Sequence, residues 1–415
     1  MKTHSFNLRS RITLLTAALL FIGATAGAAT TPITLKDAYK DHFLMGVAIN
    51  RLIAMGDTNV RADNASRTPE QLKGDIALVK AQFNLIVNEN DLKPILIHPR
   101  PGPDGYDFAP ADAFVKFGMD NNMYIVGHTL LWHSQVPNWF FQGSAPATPE
   151  TPPAATDAAV APRGGRGGRG GITGPLATRE ELIERMREHI HTVVGRYKGK
   201  IKVWDVVNEA LADGGTETLR STYWTQIIGP EFIAMAFRFA HEADPDAILR
   251  YNDYGLENPA KREKLKKLIA SLQEQNVPVH AIGTQTHISV STTFERMDET
   301  LRDLASIGLP VHITELDVNA AAGGQRGTNA DIAGTAERTA GGVVSEADKR
   351  LADAYANLFR AIMKHKDSVK MVTFWGVNDA VSWLARGTPL LFDGNNQPKP
   401  AFDAVIRVAT EAAQN

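Results

Sequence analysis

Two carboxylates stand directly behind apolar runs of high strand propensity. Val203-Trp204-Asp205-Val206-Val207 runs into Asn208-Glu209, and Val311-His312-Ile313-Thr314 runs into Glu315, with Asp317 two positions on. An acid at the end of a buried strand is paired or faces a cleft, because an unpaired buried charge is costly. Two such acids flanking one bond are the equipment of glycoside hydrolysis. Other apolar runs end in the same way: Asn88-Glu89-Asn90 with Lys93, His128 with Trp132-His133-Ser134-Gln135, Asn252-Asp253-Tyr254, Gln285 with His287, and Trp375 with Trp383. Singly, each has a bland explanation, such as a hydrogen-bonded core histidine, a packing tryptophan or a surface ion pair. A whole series of polar strand ends behind apolar runs needs a common reason, and a substrate pocket supplies one. Asn, Gln, His and Lys can bond sugar hydroxyls. Trp132, Trp375 and Trp383 offer flat apolar faces for sugar rings.

Other chemistries lack their patterns. There is no G-x-S-x-G elbow and no Walker loop. His128, His133 and His287 with nearby acids could serve a metal, but no H-E-x-x-H spacing occurs, and His189 and His191 point two ways from one helix. The sequence therefore predicts no metal and no cofactor. A carbohydrate-binding barrel without catalysis would use the same Trp and Asn residues, but would not need both Glu209 and Glu315.

The elements that must position these groups alternate. Strand-like runs at 43–49, 83–87, 124–129, 203–208, 247–252, 281–286, 311–314 and 371–376 are each followed by a helical pattern. The helices are expected at 69–81, 111–121, 178–197, 231–242, 258–275, 292–307, 345–365 and 400–413. Thr178 followed by Glu181 fits a capping box. Eight strand–helix units predict a closed α/β (β/α)8 TIM barrel in a single domain, with its active site at the C-terminal ends of the strands. An open doubly wound sheet is the rival, but it usually has fewer strands and often a Gly-rich loop after the first. Gly46 lies within the first run, with no G-x-G-x-x-G behind it.

Composition sets limits on partners. A net charge of −2 and a charged share of 22% suggest no nucleic-acid or membrane-surface partner. With no cysteine, disulfides, thiolate metal sites and a Cys nucleophile are excluded. Lys2, Arg9 and Arg11, an apolar core at 12–22 and an A-x-A pattern at Ala26 and Ala28 predict a signal peptide over residues 1–28. Its core is short for a membrane anchor. The mature chain from residue 30 to 415 is expected to be exported, periplasmic or secreted, free of the membrane, and monomeric. Residues 144–174 are low complexity, with Ala, Pro and Thr and then Arg-Gly-Gly repeats, and predict a disordered loop rather than an RNA-binding tract. Residues 320–342 are rich in Gly, Ala and Thr and predict a second loop. Both follow strands, so both belong on the face that carries function.

Seven stretches together resemble glycoside hydrolase family 10, the retaining endo-β-1,4-xylanases. They are Glu89-Asn90-x-x-Lys93, Gly127 to Gln135, Trp204 to Ala210, Tyr251 to Tyr254, Gln285-Thr286-His287, Ile313 to Asp317, and Trp375-Gly376-Val377 through Ser382-Trp383. They run in order over nearly all of the mature chain. The resemblance implies a (β/α)8 barrel acting on xylan and xylo-oligosaccharides, with Glu209 as acid/base and Glu315 as nucleophile. It implies that His287 and Asp317 support Glu315, and that Asn208 bonds the 2-hydroxyl of the sugar being cleaved. Lys93, His128 and Gln285 would bind that sugar and its neighbour, Glu89 and Asn90 the next one out, and Trp132, Gln135, Trp375 and Trp383 would line the cleft. Tyr254 would lie close to the nucleophile. A retaining pair has its carboxyls about 5–5.5 Å apart. Pro94, His312 and Leu384 depart from the family pattern at the periphery of the cleft. Another β-1,4-glycanase or an exo-acting β-glycosidase on the same barrel is the alternative.

Overall fold

The structure is a computed structural model that describes residues 1, 33–60, 66–143, 172, 174–320, 345–384 and 387–412. All its elements lie in the unit that begins at Thr34. Nine strands occur among the described residues: β1 (Leu44–Ile49), β2 (Leu85–Asn88), β3 (Tyr124–Gly127), β4 (Val203–Asn208), β5 (Ile248–Asp253), β6 (Ala281–Thr284), β7 (His287–Ser289), β8 (Val311–Asn319) and β9 (Val369–Phe374). Neighbours run in the order β6-β5-β4-β3-β2-β1-β9-β8, all parallel, and a β6–β8 pairing closes the ring. This is the eight-stranded barrel that the alternation predicts. The short β7 is an extension that pairs with the end of β8.

The long helices lie between the strands at Pro69–Gln82, Ala109–Asp120, Arg179–Arg196, Phe232–Ala243, Pro259–Glu274, Phe294–Ala305, Glu346–Lys364 and Pro400–Ala412. Thr178 Oγ1 accepts from the Glu181 amide, and the Glu181 carboxylate accepts from the Thr178 amide. This reciprocal cap fixes where the helix after β3 begins. Among the described residues, no helix is long and apolar enough to cross a membrane. The expected signal peptide, almost all of the 144–174 insert and the 321–342 loop lie outside the described residues.

Two apolar clusters hold the barrel. The larger fills the layer between strands and helices, and includes Trp204, Phe114, Phe237 and Phe359. Trp204 is fully buried, and a Cβ on Gly127 of the adjacent strand would stand 2.3 Å from its ring. Glycine is what lets that indole lie against β3. The smaller cluster comprises Ala48, Leu85, Val87, Val126, Val203, Met371 and Trp375.

Polar side chains occupy the barrel interior with it. Arg250 on β5 bonds Asp205 on β4, and its Nη1 lies 3.2 Å from His312 Nδ1 on β8. β5 and β8 are separated by β6, so that contact runs through the interior. Burial would raise the Asp205 carboxyl, but Arg250 and His128 overcome it and hold it at about 2. His312 falls to about 3 through burial and the Arg250 charge. The buried cation therefore has an anion against it and a neutral imidazole beside it, the condition under which a buried charge is tolerated.

Candidate active site

Backbone irregularities at the C-terminal ends of the strands aim the polar residues. β4 ends at Asn208, and Glu209 follows with φ +58° in the left-handed region. β6 ends at Thr284, and Thr286 has φ +59° between Gln285 and His287. A β-branched residue in this region is strained, and such strain gathers at functional sites. On β8 the sequence pattern predicts a strand end at Thr314, but the strand continues to Asn319. The pairing of β8 with β9 shifts register between Ile313 and Leu316, which places Glu315 at the irregularity. Glu315 is thus held on both flanks by strand rather than standing at a loose end.

The two carboxyls are 7% and 5% exposed, Glu209 and Glu315 respectively. They lie in different company. Trp132 Nε1 donates to Glu209 Oε2 at 2.8 Å, and Gln285 Nε2 donates to Glu209 Oε1 at 2.9 Å. Both donors are neutral. Asn252 Nδ2 donates to Glu315 Oε1 at 2.8 Å, while His287 Nε2 stands 3.3 Å from Glu315 Oε2. His128 Nδ1 lies 4.0 Å from Glu315 Oε1 and 3.0 Å from Asp205 Oδ2. His287 Nδ1 in turn lies 3.0 Å from Asp317 Oδ2, to which Trp383 Nε1 donates at 2.8 Å.

Charge follows from this geometry. Burial works against a charged His287, but Asp317 and Glu315 overcome it and lift the imidazole to about 10. Burial likewise pushes Glu315 up, and the His128 and His287 imidazoles more than offset it, so the carboxyl sits below its usual range. An ionised carboxylate beside an imidazolium, and a second carboxyl held by neutral donors, form a pair whose environments differ in the sense that acid and nucleophile roles require.

Three amides connect the pair. Asn208 Oδ1 accepts from Asn252 Nδ2 at 2.9 Å and from Gln285 Nε2 at 3.3 Å. Thr314 Oγ1 donates to Asn252 Oδ1 at 2.7 Å, which fixes how that amide faces. A Cβ on Gly283 would come within 2.3 Å of Asn252 Oδ1, so only glycine on β6 leaves Asn252 room to cross to β8. Among the described residues, no group of His, Cys, Asp and Glu is arranged to hold a metal ion.

Family comparison agrees with this geometry. The model of glycosyl hydrolase family 10 matches residues 34–408. The chain belongs to glycosyl hydrolase family 10. It is similar to a beta-1,4-xylanase of Dictyoglomus thermophilum, 36% identical over 95% of this chain and 96% of that one. An endo-1,4-beta-xylanase A of a Caldicellulosiruptor strain is 37% identical over 90% of this chain, which spans only 47% of that longer protein. A mutant of an intracellular xylanase from Thermoanaerobacterium saccharolyticum, solved in complex with xylotetraose, superimposes with a TM-score of 0.70 at 34% identity, over 90% of this chain and 98% of that one.

In this family 10 chain most of the sequence-predicted residues gather around the two acids. Lys93 Nζ donates to Asn90 Oδ1 at 2.9 Å and stands 5.2 Å from the Trp132 ring centre. Trp375 meets His128 edge to face at 5.2 Å, and Trp383 meets His287 similarly at 5.1 Å. Glu89 is half-buried at the end of β2, and its amide donates to the Ile49 carbonyl. Gln135 has φ +51°, and its carbonyl accepts from the Ile95 amide. Tyr254, expected close to Glu315, makes its bonds elsewhere. Its hydroxyl donates to Asp213 at 2.6 Å and accepts from Arg220 at 2.8 Å, and its ring lies under Lys261 Nζ at 3.5 Å.

Asn252 was named among the polar strand ends but given no role, and the Asp205–Arg250 pair was missed as a site group. Both had a signal: charged or amide residues within otherwise apolar strands. Arg220 was missed too. It lies on a loop, its Nε donates to the Glu209 carbonyl at 3.3 Å, and no periodicity marks it.

Proposed function

We propose that this chain hydrolyses internal β-1,4-xylosidic bonds of xylan with retention of anomeric configuration. Glu315 attacks the anomeric carbon as the glycosidic C–O bond breaks, and Glu209 gives its proton to the leaving oxygen. A water then attacks the glycosyl–Glu315 ester, Glu209 takes the water's proton, and Glu315 leaves as carboxylate. The observation that carries this reading is the contrast between the pair: Glu315 faces an imidazole lifted to about 10, whereas Glu209 is bonded by an indole and an amide. Asn208 Oδ1 is engaged by two amide donors, which turns its NH2 group toward service as a donor to a sugar 2-hydroxyl. Lys93, Glu89 and Asn90 are assigned to the sugars on the non-leaving side, and Trp375 and Trp383 to the cleft wall. The chain is proposed to act as a monomer. The N-terminal pattern supports export.

Product analysis tests the proposal. Xylan and xylo-oligosaccharides should be cut internally, and NMR should show the β anomer first. A first-formed α anomer would mean inversion and remove the nucleophile role from Glu315. Cleavage of cellulose in preference to xylan would replace the substrate.

A further inference from the structure

The backbone just past Glu209 is held by a side-chain pair that touches neither carboxyl. Tyr251 on β5 accepts at its hydroxyl oxygen from the Ala210 amide at 3.0 Å and from the Leu211 amide at 3.1 Å. It donates its own proton to Asp253 Oδ2 at 2.6 Å, and the same carboxyl oxygen accepts from the Leu211 amide at 3.2 Å. Asp253 Oδ1 accepts from the Tyr254 amide at 2.9 Å and lies 2.9 Å from Lys261 Nζ. Tyr251 and Asp253 are both fully buried, so neither can meet a substrate. Burial, together with the Asp253 charge, pushes the Tyr251 hydroxyl well above its ordinary value, and it stays a donor at any working pH.

These bonds fall on one turn. Glu209 is the residue in the left-handed region, its own amide is tied to the Asn252 carbonyl at 2.9 Å, and the next two amides are tied to Tyr251 and Asp253. A non-glycine residue in that region persists only where its surroundings over-determine it. From that backbone geometry the Glu209 side chain reaches Trp132 and Gln285.

We propose that Tyr251, braced by Asp253, is a positioning residue for proton transfer: it fixes the turn that aims Glu209 at the leaving oxygen, and the loss is read in the first bond cleavage, where the departing oxygen needs that proton. This rests on the acid/base reading of Glu209. It predicts a dependence on the leaving group, because a misaimed acid matters only where the departing oxygen needs a proton.

The test compares kcat/KM, which reports the first bond cleavage, across aryl xylobiosides of rising leaving-group pKa and xylo-oligosaccharides. Rates are normalised to the fraction of molecules labelled by a fluorinated, slow-turnover xylobioside. For Tyr251→Phe the expected loss is about 10- to 100-fold on xylo-oligosaccharides and about threefold or less on a dinitrophenyl xylobioside, a part of what a general acid contributes. Glu209→Ala serves as the reference and should show the steeper dependence. An equal loss on every leaving group, or no loss, overturns the proposal. So does a Tyr251→Phe protein that cannot be labelled at all, since the hydroxyl would then serve the barrel rather than the turn. A Glu209→Ala protein with no leaving-group dependence fails the acid/base reading instead, and the two failures are distinguishable.

Discussion

Glu209 and Glu315 are the same residue at almost the same depth, yet the chain builds opposite surroundings for them. Glu315 sits inside a strand at a register shift, with two imidazoles and an amide around it. Glu209 sits one residue past a strand, in a strained turn, with an indole and an amide on its oxygens. The first arrangement favours a fixed negative charge. The second gives the carboxyl only neutral partners, an indole and an amide. Depth of burial does not distinguish the two acids; their partners do.

Substitutions can break that contrast from either side. Glu315→Gln should cost about 10,000-fold or more in kcat on every substrate, activated or not, as expected when a nucleophile is removed. Glu209→Ala should cost about 100- to 10,000-fold on xylan, the usual contribution of a general acid, and far less on a dinitrophenyl xylobioside. Equal losses for both variants on both substrates would erase the distinction. His287→Asn removes the cation beside Glu315 and should lower kcat by about 10- to 100-fold, on the scale of one lost electrostatic donor.

The same variant has a pH signature. His287 is raised from 6.5 to about 10, so its contribution to stability is complete below pH 6.5 and drains as pH rises through about 10. Thermal melts of the wild type should show that alkaline loss, and His287→Asn should flatten it. The Glu315 contribution has the opposite sense: its pKa is lowered, so it is present above pH 4.5 and is lost as pH falls through the depressed value. The smallest effect should come from Trp132→Phe, which keeps a ring and removes one neutral donor to Glu209. A cost of about 1 kcal/mol, roughly fivefold in kcat/KM, matches a single neutral hydrogen bond. A loss as large as that of His287→Asn would mean that Glu209 also depends on a strong local field.

The barrel was legible because strand and helix periods alternate eight times, and that pattern survives in any single sequence. The two acids were legible for a related reason, since each interrupts an apolar run. The extension of β8 to Asn319 was not, because Leu316 and Val318 read equally well as loop residues against the core. The crossing from Asn252 to Glu315 depends on Gly283 making room on an intervening strand, a three-dimensional fact with no signature along the chain. The partners of Tyr254 were not legible either, because Asp213 and Arg220 come from a loop that sequence pattern does not place.

In the proposed reaction Glu315 is the charged, bond-forming member of the pair. Incubation with a fluorinated xylobioside bearing an activated leaving group, followed by peptide mapping of the inactivated enzyme, tests this directly. The label should be an ester on Glu315, one per active chain. A label on Glu209, or on any other residue while Glu315 stays unmodified, would contradict it.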